Sequence, residues 1–390
     1  MNPFTSIVVG NESLAIQCSE VLLARGHKIT AVVTRNADVR AWALAQGLRV
    51  EAQDAGFADR LAGNPVDWLF SIANLALIPD AVLALAAKGA VNFHDGPLPR
   101  YAGLNAPVWA ILNGEVQHGI TWHLITGGID EGDILDQRLF DIAPTETALT
   151  LNTKCFEAAI DSFPALVAAL ESDNPLRRVQ DLTQRTLYAR ADRPVAAGRI
   201  DFTQNPVQIS ALVRALDHGS YFNPLTCAKI LVEGRLLCVG RAEFAEGSAA
   251  PGTVLAATEA GLVVACASGA VRLSGLRDLQ GTPVCPKTIA AAHLPSPTGA
   301  EAAALSAGLA AAAPGEAGLR RLLAAIDPAE LPGIGPDTGV ADWHSLPLAL
   351  APALTGDRQL FALALGAARL SGKPACDLAF GNAATDPALS

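Results

Sequence analysis

Short apolar runs and amphipathic stretches alternate through the first ninety residues, with glycine closing the amphipathic ones. Residues 5–10, TSIVVG, are almost wholly apolar and too short for a buried helix, which predicts a strand covered on both faces. Residues 11–27 space Leu14, Ile16, Val21, Leu22 and Leu23 as one side of a helix and stop at Gly26. The same pair recurs as a strand at 28–35 and a helix at 37–47. It recurs again as a strand at 67–74 and a helix at 79–89, with Pro79 at its start and Gly89 at its end. Strands alternating with helices predict right-handed βαβ units, hence an α/β fold with a doubly wound, mostly parallel sheet.

The alternation continues with a helix at 105–115, a strand at 119–126, a glycine-rich acidic loop at 127–135 and a long helix at 146–172. Past residue 200 the pattern changes. One amphipathic helix at 206–217 precedes short strands broken by glycine turns, the signature of a small β-barrel or sandwich. Residues 296–318 are rich in Ala, Gly and Ser and read as linker, followed by a helix-like stretch. The expected division is therefore 1–195, a catalytic-type wound domain; 196–290, a small β-barrel; 291–318, linker; and 319–390, a segment short for an independent domain.

Composition narrows the function. The chain has 390 residues, 51% hydrophobic and 17% charged, with a formal net charge of −10. That sign argues against a broad phosphate-binding surface and so against nucleic acid as partner. Its seven cysteines are dispersed, with no CxxC pair, which suggests neither a disulfide framework nor a metal site. No basic-then-apolar leader and no long apolar span occurs, so a soluble, cytoplasmic protein is expected, with no membrane partner. The first turn, VVGNESLA, lacks GxGxxG and gives no reason to expect a dinucleotide.

One strand end carries candidate chemistry. In VNFHDGPLPRYAG, residues 91–103, Asn92 and His94 alternate with Val91 and Phe93, so the two polar side chains share one strand face. Asp130 lies in GGIDEGDIL, after the strand at 119–126, where loops at strand ends of a wound sheet would meet. Together the three suit attack of an amine on a carbonyl. Asn and His N–H groups can hold the oxyanion, imidazole can take the amine's proton, and a carboxylate can stabilise imidazolium. Each also has a plain reading: an Asn-x-His surface or capping pair, and an Asx-turn for Asp130.

The stretch NFHDGPLPRYAGLNAPVWAILNGEVQHGITWHLITGGIDEGDIL resembles the signature of folate-dependent formyltransferases. Those enzymes share an Asn-x-His strand end, an LPRY-type loop and a DxGDI/L loop, with His and Asp 36 positions apart, as are His94 and Asp130 here. The resemblance implies Asn92, His94 and Asp130 as catalytic residues and 10-formyltetrahydrofolate as cosubstrate, without metal. It implies donor contacts at Ile72, Asn74, Leu75, Gly128 and Ile129, mostly through backbone. Residues 200 to about 285 are similar to the C-terminal barrel of the methionyl-tRNA enzymes.

Gly96-Pro97 and Ala102 depart from the HxSLLPRYRG form of the tRNA enzymes and look instead like the formyltransferase domains that open nonribosomal peptide synthetases. Residues 319–390 are similar to part of a condensation domain and read as a relic, a linker or the cut edge of a longer synthase. On this resemblance the expected acceptor is the amine of an aminoacyl group on a peptidyl carrier protein. The alternatives are methionyl-tRNA, an amino-sugar nucleotide, or hydrolysis of the donor by water.

Overall fold

A computed structural model of the chain describes residues 2–172, 175–325 and 369. Thr5–Gly10 (β1), Lys28–Thr34 (β2), Val50–Ala52 (β3), Val66–Ile72 (β4) and Ala86–His94 (β5) lie parallel. Ala102–Gly103 (β6) leaves the sheet, and Gln117–Leu124 (β7) and Ile134–Asp141 (β8) complete it antiparallel, in the order β3-β2-β1-β4-β5-β7-β8. The continuous apolar run of β1 has a direct cause: Ile7 and Val9 are buried on one face and Val8 on the other. On the first face Phe57–Leu61 (α3) and Asp80–Leu83 (α4) cover Leu69 and Val33. On the second, Ser13–Ala24 (α1), Ala37–Ala45 (α2) and Ala148–Leu170 (α6) cover Phe70, Val91 and Trp122.

Two expectations fail inside this domain. The predicted helix at 79–89 shrinks to α4, because residues 86–89 join β5 and pair with Val66 and Trp68 of β4. Pairing inside a buried sheet outweighs the helix propensity of Ala86 and Ala87. The acidic loop is also shorter than expected, since β8 begins at Ile134 and pairs back on β7.

Ala106–Leu112 (α5) lies between β6 and β7 along the chain. Leu187–Tyr188 (β9) pairs parallel with β6. Pro206–Ala215 (α7) starts with a capping box between Asn205 and Gln208. It shares one apolar cluster with Val108 and Ile111 of α5. Next along the chain is a hairpin, Lys229–Val232 (β10) with Arg235–Cys238 (β11). A four-stranded antiparallel sheet comes after it, built from Arg241–Ala245 (β12), Val254–Thr258 (β13), Gly261–Ala265 (β14) and Ala270–Ser274 (β15) in the order β12-β15-β14-β13. The expected linker is different: Gly299–Ala312 (α8) is helical, as its alanine content favours, and Ser306 accepts from the Ala196 amide at 3.0 Å. Glu316–Ala324 (α9) belongs to a separate unit, 312–390. Most of residues 319–390, expected to resemble part of a condensation domain, lies outside the described residues. Among the described residues no helix is long and apolar enough to cross a membrane.

Candidate active site

Asn92 and His94 stand at the end of β5, as their alternation with Val91 and Phe93 predicts. The two apolar residues sit in the core, where Phe93 packs on Trp122 and Phe156. Across the ladder, Asn92 pairs with His123 of β7 and His94 with Thr121. His94 is 4% exposed, and its ring nitrogens have separate tasks. Nε2 lies 2.7 Å from the Tyr101 carbonyl, which can only accept, so this nitrogen carries a proton. Nδ1 lies 3.6 Å from Asp130 Oδ2 and 3.8 Å from Asp95 Oδ1 and so faces both carboxyl groups.

Asp130 reaches this place by a different route from the one the crevice rule suggests. β7 runs antiparallel to β5, so its carboxyl end is not beside that of β5. The segment between β7 and β8 instead makes an excursion that brings Asp130 back over the strands, in a left-handed conformation at φ +55° that Asp tolerates better than most residues. Three contacts fix it. The Gly103 amide donates to Oδ2 at 2.7 Å, and Gln180 Nε2 donates to the carbonyls of Asp130 and Gly132 at 2.8 and 2.6 Å. Burial opposes ionisation of Asp130, but His94, His123 and the Gly103 amide outweigh it and hold the carboxyl well below the usual carboxylate range. Burial pushes the neighbouring Asp95 the other way, upward.

His123 is the residue the sequence reasoning missed. Its Nδ1 faces the Leu124 carbonyl at 2.9 Å and therefore donates; Nε2 lies 3.1 Å from Asn92 Nδ2, from which a neutral ring accepts, while a protonated ring donates from it to Asp130. The same Nε2 lies 3.4 Å from Asp130 Oδ1. The signal was present: Thr121 and His123 alternate with Ile120 and Trp122 as Asn92 and His94 do with their neighbours. Asn92, His94, His123 and Asp130 thus form one connected polar group. It can donate to a developing oxyanion through the second Asn92 N–H, and it can accept a proton at His94 Nδ1.

The loop from Gly96 to Gly103 walls this group. Thr121 Oγ1 donates to the Gly96 carbonyl at 2.7 Å and accepts from the Leu98 amide at 3.1 Å. A Cβ on Gly96 would lie 2.7 Å from His94 Nε2, so only glycine lets the loop close over the imidazole. Gly103, at φ +95°, would place a Cβ 2.1 Å from the Tyr188 carbonyl. Gly103→Ala is expected to separate β6 from β9, cost about 1–3 kcal/mol of stability and release the Asp130 anchor. Thermal denaturation and kcat check this together; a variant unchanged in both contradicts it.

The residues expected at the donor differ in what they offer. Ile72 is fully buried in the core and offers only backbone. The Asn74 side chain is spent on structure: it accepts from Gln53 at 2.9 Å and donates to the Ala76 carbonyl at 2.9 Å. Leu75 and Ile129 are 73% and 50% exposed, and Leu77 beside them 85%. Gly128 abuts the Glu131 side chain. Exposed apolar side chains such as these suit a flat aromatic ligand. No cluster of three or more potential metal ligands occurs among the described residues.

Comparisons with known proteins agree with this architecture. The formyl transferase family model matches residues 17–167 and the formyl transferase C-terminal domain model matches 195–293. A methionyl-tRNA formyltransferase of Thiobacillus denitrificans is 34% identical over 292 residues, covering 68% of this chain and 89% of the relative. The corresponding enzyme of Myxococcus xanthus is 31% identical over 260 residues, covering 65% and 78%. Among solved structures, an N-formyltransferase from Helicobacter canadensis, in complex with folinic acid and dTDP-3-aminofucose, has a TM-score of 0.56 at 18% identity, covering 70% of this chain and 99% of that one. HypX from Aquifex aeolicus, in complex with tetrahydrofolic acid, has a TM-score of 0.52 at 19% identity, covering 71% of this chain and 44% of its own length.

Proposed function

The chain belongs to the folate-dependent formyltransferase family, and from that premise we propose that it moves a formyl group from 10-formyltetrahydrofolate to the primary amine of an aminoacyl ester, with Asn92, His94 and Asp130 at the reacting carbon. The observation that carries the assignment is the convergence of those three on one buried polar group, with His123 joining them. The acceptor amine attacks the formyl carbon, forming the new C–N bond, and Asn92 Nδ2 donates to the oxyanion. The amine's proton passes to His94 Nδ1, where Asp130 balances the imidazolium. Collapse of the tetrahedral intermediate restores the carbonyl and breaks the bond to N10, and the proton held at His94 Nδ1 passes to that nitrogen. The exposed Leu75, Leu77 and Ile129 supply the apolar lips on which the donor's rings rest.

For the acceptor, the relatives favour methionyl-tRNA, since both domains match and the similarity spans 89% of the Thiobacillus denitrificans enzyme. The carrier-protein acceptor expected from Gly96, Pro97 and Ala102 finds no support among them. One observation still speaks for it: the first 176 residues hold ten Lys/Arg against twenty Asp/Glu, a poor surface for a polyanion. Purified protein with 10-formyltetrahydrofolate should formylate methionyl-tRNA in preference to an aminoacylated carrier protein and an amino-sugar nucleotide, read by mass spectrometry of each acceptor. Formyl on the carrier alone overturns the tRNA reading, and formate released without any acceptor overturns transfer itself.

A further inference from the structure

Asp95 follows His94 directly, and the motif that singles out Asn92, His94 and Asp130 assigns it nothing. Its backbone is tied from two elements: the carbonyl accepts from His118 Nε2 of β7 at 2.8 Å and from the Cys155 thiol of α6 at 3.8 Å. The side chain takes no part in these contacts. Its Oδ1 lies 3.8 Å from His94 Nδ1, the nitrogen that Asp130 Oδ2 approaches to 3.6 Å. The imidazole is held in this orientation by Nε2, which donates to the Tyr101 carbonyl at 2.7 Å. One ring nitrogen therefore faces two carboxyl groups, and the two are held differently. Asp130 also accepts from the Gly103 amide at 2.7 Å and lies 3.4 Å from His123. Among the described residues His94 is the one ion-pair partner of Asp95. Burial pushes the Asp95 carboxyl up and the charge of Asp130 adds to this, while His94 and its own backbone amide draw it down. The other titratable groups around the ring are His118, His123, Cys155 and Tyr101, with Glu115 accepting from the Tyr101 hydroxyl at 2.7 Å. Burial drives His118 down to about 4, the Tyr101 phenol up to about 12 and the Cys155 thiol up, so these three carry no charge at neutral pH.

We propose that Asp95 is a positioning residue of the transfer that acts through His94: its carboxyl, together with that of Asp130, steadies the proton the imidazole takes from the acceptor amine. This deepens the proposed reaction and rests on it. The geometry carries it, because a proton that arrives at Nδ1 meets two carboxyl groups where one would suffice to fix the ring. An anion that is partly buried and close to a second anion is costly until a positive charge forms beside both. That relief comes as the imidazolium forms and is absent from the resting site, which is the condition for lowering a barrier. Asp130, pinned by its other partners, is the constant countercharge. Asp95, paired with the imidazole alone, is the one whose energy changes as the proton moves.

The test follows kcat/KM from about pH 5 to 9 for transfer from 10-formyltetrahydrofolate to methionyl-tRNA, in wild type, Asp95→Asn and Asp95→Glu. Asp95→Asn should melt where wild type does, since His118 and Cys155 hold the backbone carbonyl and not the side chain. Its kcat at about pH 8 should fall by about 3–10-fold. Its acid limb should move to lower pH by about half a unit or more, because an imidazole that loses a neighbouring negative charge holds a proton less tightly. Asp95→Glu keeps a carboxyl and should return the limb towards wild type. A limb that stays in place in Asp95→Asn overturns the proposal, whatever happens to kcat. A limb displaced equally in both variants also overturns it, by making shape and not charge the cause. A second measurement needs no reaction: the carboxyl 13C signal of Asp95, identified by its loss in Asp95→Asn, should titrate above the ordinary value of about 3.9, and lower in Asp130→Asn than in wild type. An Asp95 signal indifferent to Asp130 overturns the coupling of the two carboxyls. Wild type that transfers formyl to no acceptor while this titration behaves as expected sinks the formyl reading, and Asp95's part in transfer goes with it.

Discussion

Exchanging His94 for glutamine is expected to lower kcat by about 10²–10⁴-fold, the range over which a positioned acid–base group acts. The exchange separates two tasks of the ring. Nε2 holds the Tyr101 carbonyl at 2.7 Å, and a glutamine amide can still donate to it, so the loop from Gly96 to Gly103 stays closed. What glutamine cannot do is carry a proton at the position of Nδ1, 3.6 Å from Asp130. Single-turnover kinetics with saturating donor should therefore show slow chemistry, while donor affinity and the melting temperature stay near those of wild type. A His94→Gln enzyme with near-native turnover removes His94 from the proton path, whatever its place in the structure.

The strand and helix pattern was legible where each element is long and closed by glycine, as in β1, α1 and β2. It failed at Ala86–Gly89, where local propensity says helix and only the pairing partner on β4 says strand. The polar pair on β5 was legible because period-two alternation is a local signal. Asp130 was found for a reason that the structure corrects: the crevice rule for parallel strands does not apply across the antiparallel β5–β7 pair. The loop's return over the sheet depends on Gly103 and on Gln180, 50 residues further along, and no spacing in the chain announces such contacts.

Replacing Asp130 with asparagine tests the electrostatic half of the site, and its kcat should fall by about 10²-fold or more. Asparagine keeps an oxygen for the Gly103 amide, so the loss reflects charge and not a missing anchor. The same variant carries a signature in stability. Burial raises the carboxyl of Asp130, yet His94, His123 and the Gly103 amide bring it well below its ordinary range in the folded state. A carboxyl depressed on folding adds stability that is fully present above its unfolded value of about 3.9 and is lost as pH falls through the folded one. Asp130→Asn should therefore be less stable than wild type at pH 7, and the gap should narrow as the pH drops below about 4. Urea unfolding at pH 7 and pH 3 measures both ends. A gap that stays constant across that range means the imidazoles do not stabilise the ionised carboxylate, and the charge balance assigned to the reaction loses its ground-state counterpart.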